Sequence, residues 1–413
     1  MEFDDLSQSG IRRIANYSPY LDQLAGVANE MGLRQRSNLV HLESCLHEEW
    51  SLGQNSILSW CPLDDGLLVL VVPHYAIAEY TTSPDDDPNV PQKVSARFIT
   101  ELISGDRQLT LTQMQKVARL LDVAPKFITL RQPLTEHPVE TQIIEKMIRR
   151  YGINYVASRA VTLFDIVGFS LLTPFEQMTQ LNSLSYSLNS AHAKMLELDV
   201  GINFARSSSG DGFYIWNRDH GLEANVNLYH FMHLVLADNA IARNKATSKA
   251  VPLLRACFHV GSCYEFHQAE GLNPTMHDFI VGDVTIELAR MIEAAMPGQI
   301  LVGDFMAELQ APDPHGDTQI NLDAVTFLAR AQGNLAKLSG LELSGEKVSA
   351  IKCYLTGERL ESGEFSIRKL SIKDKHGLSR TAYNAKVNIY RELAQPILLG
   401  IEDKKLLGGM QAV

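Results

Sequence analysis

From about residue 140 onward, the hydrophobic positions switch between two periods. Met178, Leu181, Leu184, Leu188, Ala191, Met195 and Leu198 recur at three- and four-residue steps, which predicts a helix of about seven turns with one buried stripe. "TPFE" at 173–176 supplies its start, with Thr173 capping the backbone, Glu176 reaching back and Pro174 in the first helical position. "INFARSSSGDGFYIW" then reads as a β-hairpin with its tip at the serines and "GDG". A helix follows over 224–245, then the strand "LLRACFHVG", a helix over "VTIELARMIEAAM", a stop at Pro297 and Gly298, and the strand "QILVG". This order predicts an α+β fold with helices on one face of an antiparallel sheet.

The first 140 residues read differently. They predict a mostly helical N-terminal region, of which 1–80 is a mixed helical part of unknown role, helical over 20–50, with a short strand at "LLVLVV" (67–72). "TTSPDDDPNVPQ" (81–92) reads as a linker, because its prolines and aspartates interrupt any regular element. Phe98, Ile99 and Leu102, and then Leu111, Met114, Val117, Ala118 and Leu121, predict two helices separated at Gly105, within a segment taken as 93–135. That pair resembles the second half of a helix-turn-helix of the Cro and phage-repressor type. The resemblance implies DNA as a partner, met by Ser95, Arg97 and Thr100. Residues 91–130 carry six Lys or Arg against three Asp or Glu. The other reading of this segment is a small helical element for regulation or dimerisation.

Composition narrows the class. A chain of 413 residues, 45% hydrophobic and 21% charged, can bury two or three cores. The longest aliphatic run falls far short of the roughly 20 residues that span a bilayer, so no membrane partner is expected. "MEFDDLSQSG" lacks a basic stretch followed by an apolar one, so no secretory signal is expected. Five scattered cysteines predict reduced thiols and a cytoplasmic location. A net charge of −11 argues against indiscriminate nucleic-acid binding.

Asp165 is the first sign of chemistry. It sits inside the apolar strand "VTLFDIVGFS" (161–170), where an uncompensated carboxylate costs several kcal/mol. Asp211, at the hairpin tip, could lie beside it, and glycines at 168, 210 and 212 let backbone and ligand approach closely. Two adjacent carboxylates repel unless a divalent cation joins them, and magnesium accepts so small a protein ligand set. On this reading Asp165 is tolerated because it is a metal ligand.

"FDIVGFS", "SGDGFYIW", "LLRACFHVG" and "GDVTIELARMIEAAMPGQILVGD" together resemble, in order and spacing, the motifs of the class III nucleotidyl (adenylate/guanylate) cyclases. The likeness covers roughly 155–305, and the domain is taken as 150–395. It implies a ferredoxin-like catalytic domain acting as a homodimer. The implied activity converts a nucleoside triphosphate to a 3′,5′-cyclic monophosphate and pyrophosphate with two Mg2+ or Mn2+ ions per site. It assigns metal binding to Asp165, Asp211 and the Ile166 carbonyl, and transition-state stabilisation to Arg290, eight residues after Gly282. Gly168, Phe169 and Gly210 join the substrate-binding set, and Lys373 or Lys375 falls where the family binds triphosphate.

Three positions depart from the family pattern. Ser207 stands where ATP users usually carry lysine, Phe279 stands where an aspartate or threonine is usual, with Asp278 beside it, and Ile286 replaces the ribose-orienting asparagine. ATP or GTP is the default substrate, pyrimidine triphosphates are admitted, and Phe279 could stack on any base. The alternatives are a catalytically degenerate nucleotide sensor that regulates through DNA, and a scaffold. His230 and His233, three apart on a helix, are assigned packing or surface roles.

Overall fold

The computed structural model describes residues 31–81, 96–135, 137–269, 276–311, 318–334, 340–357, 366–373, 377–401 and 411–412. They fall into two compact units: those up to Tyr155 together with 264–279, and those of 156–263 and from 280 onward.

The first unit contains α1 (Leu33–Trp50), β1 (Asn55–Leu63), β2 (Gly66–Pro73), α2 (His74–Thr81), α3 (Ala96–Ser104), α4 (Leu111–Leu121), β3 (Lys126–Thr129) and α5 (Pro138–Arg150). The strands form an antiparallel sheet in the order β1-β2-β3. Both faces of this sheet are covered. Leu67, Val69 and Val71 pack with Leu39, Leu42, Leu46 and Ile144 of α1 and α5, whereas Leu70 and Val72 pack with Ile99, Met114, Val117 and Leu121 of α3 and α4. Two-sided burial explains why "LLVLVV" is continuously apolar and does not alternate.

The described N-terminal residues mix helices with strands, since β1 and β3 join the expected β2. The apolar stripe of the α3–α4 pair packs against that sheet. Arg97 of the predicted DNA face is exposed and forms an ion pair with Glu101 one turn on, at 2.8 Å. Ser95 and the linker residues 82–92 lie outside the described residues.

The second unit opens with β4 (Asn154–Ile166), α6 (Pro174–Glu197), the hairpin β5 (Phe204–Ser208) and β6 (Gly212–Asn217), α7 (Gly221–Lys245) and β7 (Leu254–Ala269). There follow β8 (Met276–Val281), whose residues up to Phe279 group with the first unit as does the end of β7 from Tyr264, and then α8 (Asp283–Ala294), β9 (Ile300–Gly303), β10 (Met306–Ala311), β11 (Thr318–Asp323), α9 (Ala324–Asn334), β12 (Leu341–Leu343), β13 (Glu346–Thr356), β14 (Lys369–Lys373) and β15 (Ser379–Arg391). The main sheet runs β12-β13-β15-β9-β7-β4-β6-β5. The α6 start is built as its sequence predicts: Thr173 Oγ1 accepts the Glu176 N–H, and the Glu176 carboxylate accepts the Thr173 N–H at 2.9 Å.

The sheet is mixed and covered on both sides. Strand β9 runs parallel to β7. Phe164, Ile166, Ile215 and Phe258 face α6, α7 and α9, whereas Val161, Leu163, Trp216, Cys257 and Leu301 face Val284, Leu288 and Met291 of α8. The expected single helical layer on an antiparallel sheet is therefore corrected, because alternate residues of the central strands are apolar on both faces. None of the five cysteines forms a disulfide.

Helix α7 is buried nearly all round, and its histidines pack as expected. His230 Nε2 donates to the Ala331 carbonyl at 2.9 Å and His233 Nδ1 to the Tyr229 carbonyl at 2.6 Å. Burial pushes His233 down to about 3, and His259, on β7, down to about 4. The unfolded chain therefore takes up protons near pH 6.5 that the folded unit refuses until lower pH, so stability falls as pH drops through this window. Each histidine is expected to cost about 2 kcal/mol on going from pH 7 to pH 5. Denaturation midpoints at the two pH values check this, and His233→Phe should reduce the difference by about half. An unchanged difference would contradict the assignment.

Candidate active site

Asp165 lies at the end of β4, and the β5–β6 hairpin brings Asp211 to it. The ladder pairs Asp165 with Gly212, and the Ile166 N–H donates to the Asp211 carbonyl at 3.0 Å. Gly212 is required by this approach, because a Cβ there would strike the Phe164 carbonyl oxygen. The tip itself turns through Gly210, whose φ of +101° suits glycine. Its N–H donates to Ser208 Oγ at 3.1 Å, and the Ser209 N–H donates to the Gly212 carbonyl at 3.0 Å.

Asp165 is buried, at 5% exposure, and Asp211 is half-buried. Burial pushes the Asp165 carboxyl above the ordinary aspartate range; Arg255 pulls it back down, and the neighbouring Asp211 carboxylate pushes it up again. Arg255 on β7 is the residue that sequence reasoning missed. Its Nε lies 2.7 Å and its Nη2 2.5 Å from Asp165 Oδ2. A guanidinium therefore already meets Asp165, beside any metal expected there.

The face of the sheet that carries Asp165 and Arg255 also carries Tyr214 and Ser207, paired across β5 and β6. Burial raises the Tyr214 hydroxyl pKa; the charges of Asp211 and Glu293 also raise it, and that of Arg290 lowers it. Asp211 and Arg290 are thus both within electrostatic reach of one phenol. Arg290, on α8, pairs with Glu293 at 3.1 Å.

The remaining predicted residues are placed as follows. Gly168 adopts φ +71° directly after the strand, and Phe169 is half-buried against the core beneath α6 and α7. Ile286 is 49% exposed in the first turn of α8. Phe279 belongs to the other unit and stacks on Phe266, with ring centroids 5.7 Å apart and planes at 18°. One face of its ring is thereby in contact with Phe266. Lys373 ends β14, and Lys375 lies outside the described residues.

The donor set fits a hard divalent cation. Two carboxylates converge at one strand end, and added side chains at Gly168 or Gly210 would meet open space, so the loops leave room for a ligand. Among the described residues no cluster of three or more His, Cys, Asp or Glu surrounds them. A cation held here would complete its shell with water and phosphate oxygens, as magnesium does.

No family model and no curated protein matches the chain. Among the solved structures it is similar to are the following cyclases. The guanylate cyclase domain of RhGC from Catenaria anguillulae in complex with GTP is 14% identical, with 41% of this chain and 98% of that one covered and a TM-score of 0.28. The adenylyl cyclase CyaB from P. aeruginosa is 16% identical, with coverage of 41% and 96% and a TM-score of 0.26. The guanylyl cyclase Cya2 is 12% identical, with coverage of 56% and 92% and a TM-score of 0.29. Likenesses this distant carry none of the functional reading, which rests on the residues of the site.

Proposed function

We propose that the second unit is a nucleotidyl cyclase, converting a nucleoside triphosphate into a 3′,5′-cyclic monophosphate and pyrophosphate. The observation that carries this reading is the Asp165–Asp211 pair, held at one strand end by the β4–β6 ladder and flanked by open glycine loops. The succession β4-α6-β5-β6-α7-β7, with strands ordered β7-β4-β6-β5 and both helices packed on one face, supports a ferredoxin-like core.

Asp165, Asp211 and the Ile166 carbonyl would hold two Mg2+ or Mn2+ ions. When bound, these ions acidify the ribose 3′-hydroxyl and screen the triphosphate. In the balanced reaction the 3′-oxygen bonds to the α-phosphorus, the bond from that phosphorus to the β-phosphate bridge breaks, and the hydroxyl proton passes to solvent. Arg290 would leave Glu293 to place its forked donors on the transition-state phosphate. A homodimer is the working assembly. ATP and GTP are the default substrates; Ser207 in place of the lysine of ATP users and Ile286 in place of the ribose-orienting asparagine admit pyrimidine triphosphates beside them.

The test is pyrophosphate release by the full chain with each of the four triphosphates and Mg2+ or Mn2+. Release that EDTA abolishes is expected with at least one of them. Nucleotide binding without release, under every condition, would replace the enzyme by a nucleotide sensor.

A further inference from the structure

Arg255 links two parts of the site. Its Nε and Nη2 both reach Asp165 Oδ2, at 2.7 and 2.5 Å, while its Nη1 donates at 3.1 Å to the carbonyl of Ala295, just past the end of the helix that carries Arg290. The Asp165 side chain is 7% exposed and that of Arg255 24%, so water screens this pair weakly. The guanidinium keeps its charge at any pH the protein meets. A fixed cation beside a buried carboxylate offsets the cost of burying it, and it also opposes the arrival of a second cation. Two carboxylates with Arg255 present offer a divalent ion a net charge of −1; without it they offer −2.

We infer that Arg255 is a built-in counter-ion that competes with the divalent cation for Asp165, holding the carboxylate in place when the cation is absent and weakening its binding when present. This rests on reading Asp165 and Asp211 as the cation site. Arg255 is thus a positioning residue whose effect reaches the chemistry through Asp165. It sets how much free Mg2+ or Mn2+ the site requires, and its bond to the Ala295 carbonyl ties that balance to the end of α8.

The probe is Mn2+ alone, its free concentration followed by electron paramagnetic resonance in the presence of the full chain. Removing a unit charge a few ångströms from the ion should tighten Mn2+ binding in Arg255→Gln by roughly tenfold or more. In EDTA the same variant should melt below the wild type, because Asp165 has lost its partner, and saturating Mn2+ should close most of that gap. Arg255→Lys keeps the charge but cannot span both Asp165 and Ala295, so its Mn2+ affinity should match the wild type; weaker binding there would overturn the competition. It would also be overturned by equal Mn2+ affinity in Arg255→Gln and wild type while Asp211→Asn binds none, and the cation site would then stand with Arg255 as a plain structural tie. If the wild type binds no Mn2+, the cation site falls and the inference with it.

Discussion

Asp211→Asn is expected to reduce pyrophosphate release about a thousandfold while leaving the melting temperature unchanged or slightly higher. The substitution preserves shape and removes one charge. In the protein without metal that charge acts against Asp165, pushing its carboxyl upward. Removing it relieves a repulsion within the fold and at the same time takes away half of the carboxylate pair offered to a cation. Stability and activity should therefore move in opposite directions. A variant that lost both together would mark Asp211 as a structural residue of the hairpin tip.

Gly212→Ala should cost about 3 kcal/mol or more and also suppress turnover. Its Cβ would run into the Phe164 carbonyl oxygen and approach the Asp165 Cα. Both are backbone atoms and cannot swing aside as a side-chain end can. The hairpin would have to lift from β4 at the register point that pairs Gly212 with Asp165 and presents Asp211. Gly210→Ala is the informative comparison. It faces open space, so its penalty comes from its positive φ alone and should be about 1 kcal/mol. Melting curves and turnover of the two variants check this; equal effects would show that close strand approach does not shape the site.

Much of the second unit could be read from sequence because its elements carry local signals. The Thr173–Glu176 capping pair, the three-and-four spacing behind it and the glycines around Asp211 each reflect contacts within a few residues, and the structure builds them where the chain implies. The first unit was harder to read. The segment "NSILSWCPL" of β1 places Ser56 and Ser59 among apolar residues, and both serines are buried, so polarity there does not mark the solvent side. β3 is four residues long and gains its strand identity from pairing with β2.

Arg255 shows most clearly what was overlooked. "LLRACFHVG" carries one arginine in an apolar strand, just as "VTLFDIVGFS" carries one aspartate. Each lone charge is improbable by itself, and the two become reasonable once their strands lie side by side in the sheet. Opposite lone charges in two apolar strands are a signal that those strands are neighbours.

Pyrophosphate release could also come from an enzyme that simply cleaves triphosphates, so the product itself is the most direct test of the central claim. The full chain is incubated with each nucleoside triphosphate and Mn2+ or Mg2+, and the nucleotide product is identified by mass spectrometry beside Asp165→Ala. The account predicts a 3′,5′-cyclic monophosphate from at least one triphosphate, absent with the variant. A linear monophosphate as the sole product, or a cyclic product made equally well by Asp165→Ala, would contradict it.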